Sequence, residues 1–112
     1  MNKKIGFSYE GTDYVLEYNR DAVLYMEAEG LNVSEVKLKP LTTIELLWRG
    51  AFLKNHKKES MNKIQKMYRD LKNKEDLNAA LVEMYYETYT SLLGGNEEES
   101  EDDSKNIEWK MS

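Results

Sequence analysis

One break in character constrains what this chain can fold into. Up to Leu93 the sequence is patterned like an ordinary domain, whereas residues 94–112 are acidic and unpatterned. Residues 1–93 carry 14 Lys and Arg against 14 Asp and Glu, and are neutral. The remaining residues carry 2 basic against 7 acidic side chains, so the entire net charge of −5 sits there. A stretch this acidic buries too little apolar surface to offset its ordering entropy. The expectation is therefore a folded domain over 1–93 followed by a disordered acidic tail over 94–112. Near the end of that tail lies an apolar patch, in which Ile107, Trp109 and Met111 alternate with Glu108 and Lys110. A neutral body with a charged leash and a Trp near its tip suggests a binding protein rather than a catalyst.

A body of 93 residues buries roughly 60–65% of its unfolded surface, enough for one modest core and no second domain. The chain has no cysteine, which removes disulfides, thiolate metal sites and cysteine nucleophiles. Its first residues are positively charged but no apolar run follows them, so they do not read as a signal peptide. No stretch approaches the ~18 apolar residues of a membrane span. These features lead to the expectation of a small soluble cytoplasmic protein with no membrane contact.

Along the body, Ile5, Phe7 and Tyr9 alternate with Gly6 and Ser8, and Tyr14, Leu16 and Tyr18 alternate with Val15 and Glu17. Two period-2 runs around Glu10-Gly11-Thr12-Asp13 predict a β-hairpin. Asn19 offers an N-cap, Asp21 sits where the helix dipole favours acid, and Gly30 stands where a C-terminal Gly would, which predicts a short helix between them. Residues 36–39 alternate and admit a third short strand, closed by Pro40. Thr42-Thr43-Ile44-Glu45 has the form of a capping box. The helix behind it carries Ile44, Leu47, Trp48, Ala51 and Phe52 at i, i+3, i+4, i+7 and i+8, and ends at Asn55-His56-Lys57-Lys58. Ser60 opens a third helix with a stripe of Met61, Ile64, Met67, Tyr68 and Leu71. Asn73 opens a fourth, which Gly94-Gly95 stops. That last helix has two apolar stripes: Leu77, Leu81, Met84, Tyr85 and Leu92, and then Val82, Tyr86, Tyr89 and Leu93. A helix so broadly apolar is central to a bundle or has a partner. The predicted architecture is α+β: a hairpin, with room for a third short strand, packed on about four helices.

The inventory disfavours catalysis. His56 is the only histidine, stands beside two lysines, and is paired with no nucleophile by any motif. No phosphate-binding Gly pattern is present. Asp102, Asp103 and their neighbours lack the alternating oxygen ligands and turn Gly of a calcium loop. Neither a metal nor a cofactor is expected. Residues 54–74 make a basic surface from Lys54, Lys57, Lys58, Lys63, Lys66, Arg69, Lys72 and Lys74 against Glu59 and Asp70. Phosphate backbones attract such clusters. A solvated helix face explains most of them equally well, and the acidic whole opposes nucleic acid. The acidic tail folding back on this surface is a third reading. Tyr85, Tyr86 and Tyr89 read as core or rim residues, or as anchors for a partner. The alternation of Ile107, Trp109 and Met111 suits a strand added to a partner's sheet edge. Self-association would satisfy the second stripe of the last helix as well as a partner would.

Several short words carry a resemblance. They are Tyr14-Val15-Leu16-Glu17-Tyr18-Asn19-Arg20, Met26-Glu27-Ala28-Glu29-Gly30, Ile44-Glu45-Leu46-Leu47-Trp48-Arg49-Gly50-Ala51-Phe52, and Met84-Tyr85-Tyr86-Glu87 with Ser91-Leu92. In this order they resemble small proteins of siphophages and prophages of Gram-positive bacteria, and most of residues 5–93 is covered. The chain looks similar to the tail assembly chaperones encoded before the tape-measure protein. The resemblance implies a non-catalytic protein that coats the helical tape-measure protein and helps recruit the major tail protein. It would act in the host cytoplasm during assembly and be absent from the finished virion. Many such chaperones are made in two lengths through a programmed frameshift, and an acidic C-terminus fits the short form. The alternatives are a nucleic-acid-binding or regulatory phage protein using the basic surface, and a structural tail or connector subunit. The resemblance assigns no site residues. From the residues alone, the candidate partner-binding set is Val82, Tyr86, Tyr89, Leu93, Ile107, Trp109 and Met111.

Overall fold

A computed structural model describes residues 3–94. An antiparallel hairpin of β1 (Ile5–Tyr9) and β2 (Thr12–Leu16) is followed by α1 (Arg20–Ala28), a 3₁₀ turn (Val33–Glu35), α2 (Pro40–Gly50), α3 (Met61–Asp70) and α4 (Lys74–Gly94). This is the expected α+β arrangement of a hairpin and four helices. Most of the segment expected to be a disordered tail, 95–112, lies outside the described residues.

The hairpin is tighter than its sequence suggests. Tyr9 pairs with Thr12, so the turn is Glu10-Gly11 alone, with φ of 51° and 82°. Positive φ at both central residues matches the strand twist, and Gly11 adopts it without steric cost. Two strands are marginal alone and need a face to pack on. They obtain it through Phe7, Tyr14 and Leu16: the Phe7 ring stacks on Tyr14 at 5.4 Å and on Trp48 of α2 at 6.1 Å.

Four helix boundaries follow their local chemistry. Asn19 accepts from the Ala22 N–H and caps α1. At its other end Gly30, with φ 99°, allows Leu31 N–H to reach Met26 C=O and Gly30 N–H to reach Glu27 C=O, a Schellman closure. Ser60 accepts from Lys63 N–H and caps α3. Asn73 adopts φ 56° between α3 and α4, a conformation Asn tolerates better than most residues. Lys74 then reaches back to donate to the carbonyls of Arg69 and Leu71, so the end of α3 is closed by a cation.

Three expectations are corrected. Residues 36–39 form no strand: the Val33–Glu35 turn is followed by further turns, with Val36 N–H on Val33 C=O and Lys39 N–H on Glu35 C=O. The capping box at Thr42 does not form, because α2 begins two residues earlier. Pro40 sits in the first turn with its φ already helical, Thr43 is inside the helix and buried, and Lys39 makes no side-chain cap. Finally, α2 stops at Gly50, not at the Asn55-His56-Lys57-Lys58 cluster; residues 51–55 continue as turns.

The helix at the centre is α2, which packs against α1, α3, α4 and the 3₁₀ turn. Its predicted stripe is the middle of the core: Leu47, Trp48, Ala51 and Phe52 are at most 2% exposed. Trp48 meets Phe52 edge-on at 5.0 Å and Tyr68 at 5.5 Å, and its indole N–H donates to the Ile64 carbonyl at 2.7 Å. A Cβ on Gly50 would overlap the fully buried Met26 side chain, so this glycine allows α1 and α2 to approach.

Candidate partner-binding surfaces

Burial divides α4 along its length into an inner and an outer face. Leu81, Met84, Tyr85 and Thr88 face inward and are buried. On the first predicted stripe Leu77 and Leu92 are half-buried. On the second, Val82 and Tyr89 are half-buried, Tyr86 is 48% exposed and Leu93 is 73% exposed. The four second-stripe residues therefore share one ridge over the last three turns, with Tyr86 and Leu93 outward and Val82 and Tyr89 packed partly against the core. Tyr89 stacks on Tyr85 at 5.7 Å, Tyr86 meets Tyr85 edge-on, and Tyr85 meets Tyr18 edge-on at 6.1 Å. These ring contacts hold the ridge in place from below. Burial pushes the Tyr85 hydroxyl up to about 12, aided by the negative charge of Glu27. Ile107, Trp109 and Met111 lie outside the described residues.

The basic set is divided rather than gathered. Lys54 lies 3.2 Å from the buried Glu17 carboxylate. Lys66 and Lys63 lie 3.5 and 4.0 Å from Glu10 at the hairpin turn. Lys57 and Lys58 are exposed on the loop that precedes α3, and Arg69 faces a separate groove. Glu10 and Glu17 thus lie against three of the eight cations that the sequence concentrates in 54–74.

The loop after α2 has a role that sequence periodicity does not reveal. Asn55 donates to the Val15 carbonyl at 3.1 Å and to Glu17 at 2.9 Å, while Val15 N–H donates to His56 Nε2 at 3.0 Å. Two side chains thereby close the outer edge of β2, which would otherwise offer unpaired backbone groups to another strand. Burial raises the affinity of the Glu17 carboxyl for its proton. The hydrogen bonds from Asn55 and Lys54, with the charges of Lys54 and Lys4, outweigh that effect and hold it below the usual carboxylate range. His56 is thus an edge-closing residue packed 4.8 Å from the Tyr14 ring.

A groove of about 480 Å³ lies where α2, α3 and the start of α4 meet. Ile44 and Trp48 form its apolar wall from α2, and Tyr68 stands on the α3 side with its hydroxyl donating to Asn78 of α4 at 2.7 Å. Leu41 at its rim is 87% exposed, and nearby in sequence Leu38 is 81% exposed. Its charged side chains are Glu45 and Arg69. Sequence reading missed this groove because Leu38 and Leu41 lie off the α2 stripe and carry no motif. The one available signal was Leu41, a leucine that the α2 stripe leaves without a place in the core.

The whole sequence, residues 1–112, matches the model of a family described as a domain of unknown function, DUF5055. The chain belongs to this family. No curated protein and no solved structure matches it. Among the described residues no helix is long and apolar enough to cross a membrane, and no three His, Asp or Glu side chains form a group that could hold a metal ion.

Proposed function

We propose that this member of the DUF5055 family is a non-catalytic tail assembly chaperone that binds the tape-measure protein of a phage or prophage and assists tail polymerisation. Its site of action is the host cytoplasm. The observation that carries the reading is the outward ridge of α4. Val82, Tyr86, Tyr89 and Leu93 present an apolar, aromatic face at helical spacing, and partner helices are held by such faces at i, i+4 and i+7. Tyrosines on a supported ridge are efficient anchors, because few rotamers remain to be fixed on binding. The resemblance in the hairpin, α1, α2 and α4 words supplies the identity of the partner. Six methionines in the chain suit contact with variable apolar surfaces, and the acidic C-terminal residues favour the solubility of an apolar complex.

The test is affinity capture of the full chain from prophage-induced cells, read by mass spectrometry and by nucleic-acid staining. A long helical tape-measure protein is the expected catch, with the major tail protein accompanying it. Recovery of nucleic acid, or of the chain alone, would overturn the reading.

A further inference from the structure

The groove between α2, α3 and α4 and the patch at residues 107–111 match in three independent respects. The first is chemistry. The groove offers Ile44, Trp48 and Tyr68 as an apolar wall, with one acidic and one basic side chain, Glu45 and Arg69. The patch presents Ile107, Trp109 and Met111 at alternate positions, with one acidic and one basic side chain, Glu108 and Lys110, between them. An extended segment places alternate residues on opposite faces. Its three apolar side chains can therefore enter the groove together while Glu108 and Lys110 stay on the opposite, solvent-facing side. The second respect is reach. Asn78 marks the groove end of α4, and Gly94 lies 16 residues further on, about 24 Å along the helix. Twelve residues separate Gly94 from Ile107, and extended they span up to about 40 Å. The third is long-range charge. Residues 97–103 hold six acids, and the cation at the groove, Arg69 of α3, is exposed.

We propose that this groove is the docking site of the chain's own segment 107–111, with Trp109 seated against Ile44, Trp48 and Tyr68. A tethered segment this short competes at millimolar effective concentration, so modest intrinsic affinity suffices to fill the groove. Docking in this way covers Leu41, shields the groove from other apolar segments, and leaves the α4 ridge open. A partner that takes the groove must first displace the chain's own residues. The inference does not depend on the identity of the partner at α4.

The absence of cysteine makes a single probe straightforward. A spin label is placed on Ser112→Cys in the full chain, and line broadening of backbone amides is read by NMR. The expected result is broadening confined to the amides of residues 40–48, 65–69 and 78. It should be lost in Trp109→Ser, and lost again in Leu41→Lys at a position too exposed to disturb the core. A mixture of spin-labelled unenriched chain with unlabelled ¹⁵N chain should show no broadening. Broadening in that mixture would make the occupant a second copy and overturn the proposal. Broadening spread evenly, or confined to the α4 ridge or the 54–59 loop, would also overturn it.

Discussion

At the scale of single residues, two groups make opposite contributions. Thr88 is 3% exposed in the middle of α4 and its hydroxyl has no hydrogen-bond partner. Burying an unpaired hydroxyl costs about 1–3 kcal/mol, so Thr88→Val, which keeps the shape, should stabilise the fold by about 1 kcal/mol in urea unfolding. Glu17 is a carboxylate that the fold keeps ionised. Its folded pKa is lowered, so its stabilisation is complete above the unfolded value of about 4.3 and is lost as pH falls through the folded one. Stability of the wild-type chain should therefore fall below about pH 4.5, and Glu17→Gln should flatten that fall while lowering stability at pH 7. The tyrosines act at the other extreme. The hydrogen bond from Tyr14 to Glu59 raises its pKa to about 12, and burial raises Tyr18 well above 10. A raised folded pKa gives stability that is present below pH 10 and lost above it, so unfolding and a cooperative rise in tyrosinate absorbance should coincide between about pH 10 and 12.

At the scale of elements, α2 carries the architecture. Trp48 joins the hairpin through Phe7 and α3 through Tyr68 and the Ile64 carbonyl. Trp48→Ala should cost about 3–5 kcal/mol, a large part of the 5–15 kcal/mol typical of a domain. Gly50→Ala should cost about 1–3 kcal/mol in the same urea measurement, because Met26 is buried and has no free space to take. The stripe that makes α2 the hub was legible in the sequence, since Ile44, Leu47, Trp48, Ala51 and Phe52 repeat at helical spacing. So were the Asn19 and Ser60 caps, which depend only on neighbouring residues. The start of α2 was misread, because a fixed φ at Pro40 and a hydroxyl at Thr42 are competing local signals and nothing in the periodicity ranks them. Likewise, residues 36–39 alternate like a strand, yet local bonds from Val36, Leu38 and Lys39 back to Val33 and Glu35 fold them into turns. Asn55 and His56 close β2 from a loop some forty positions away, and that pairing is a tertiary fact with no trace in the local pattern.

At the scale of the whole molecule, the helix with the broadest apolar character is not the central one. Sequence alone allowed α4 to be either central to the bundle or left with a face for a partner; Leu81, Met84 and Tyr85 are buried while Tyr86 and Leu93 are exposed, so α4 is not enclosed on all sides. The ridge was legible as a stripe, whereas the groove was not, since it exists only where three helices meet. The measurement that tests the central claim most directly is the affinity of the captured tape-measure protein for the wild-type chain and for the double variant Tyr86→Ser, Leu93→Ser, by titration calorimetry. Both positions are exposed, so urea unfolding should shift by no more than about 0.5 kcal/mol for each substitution. If α4 holds the partner, affinity should fall at least tenfold, about 1.4 kcal/mol. Unchanged affinity with an intact fold would contradict the account.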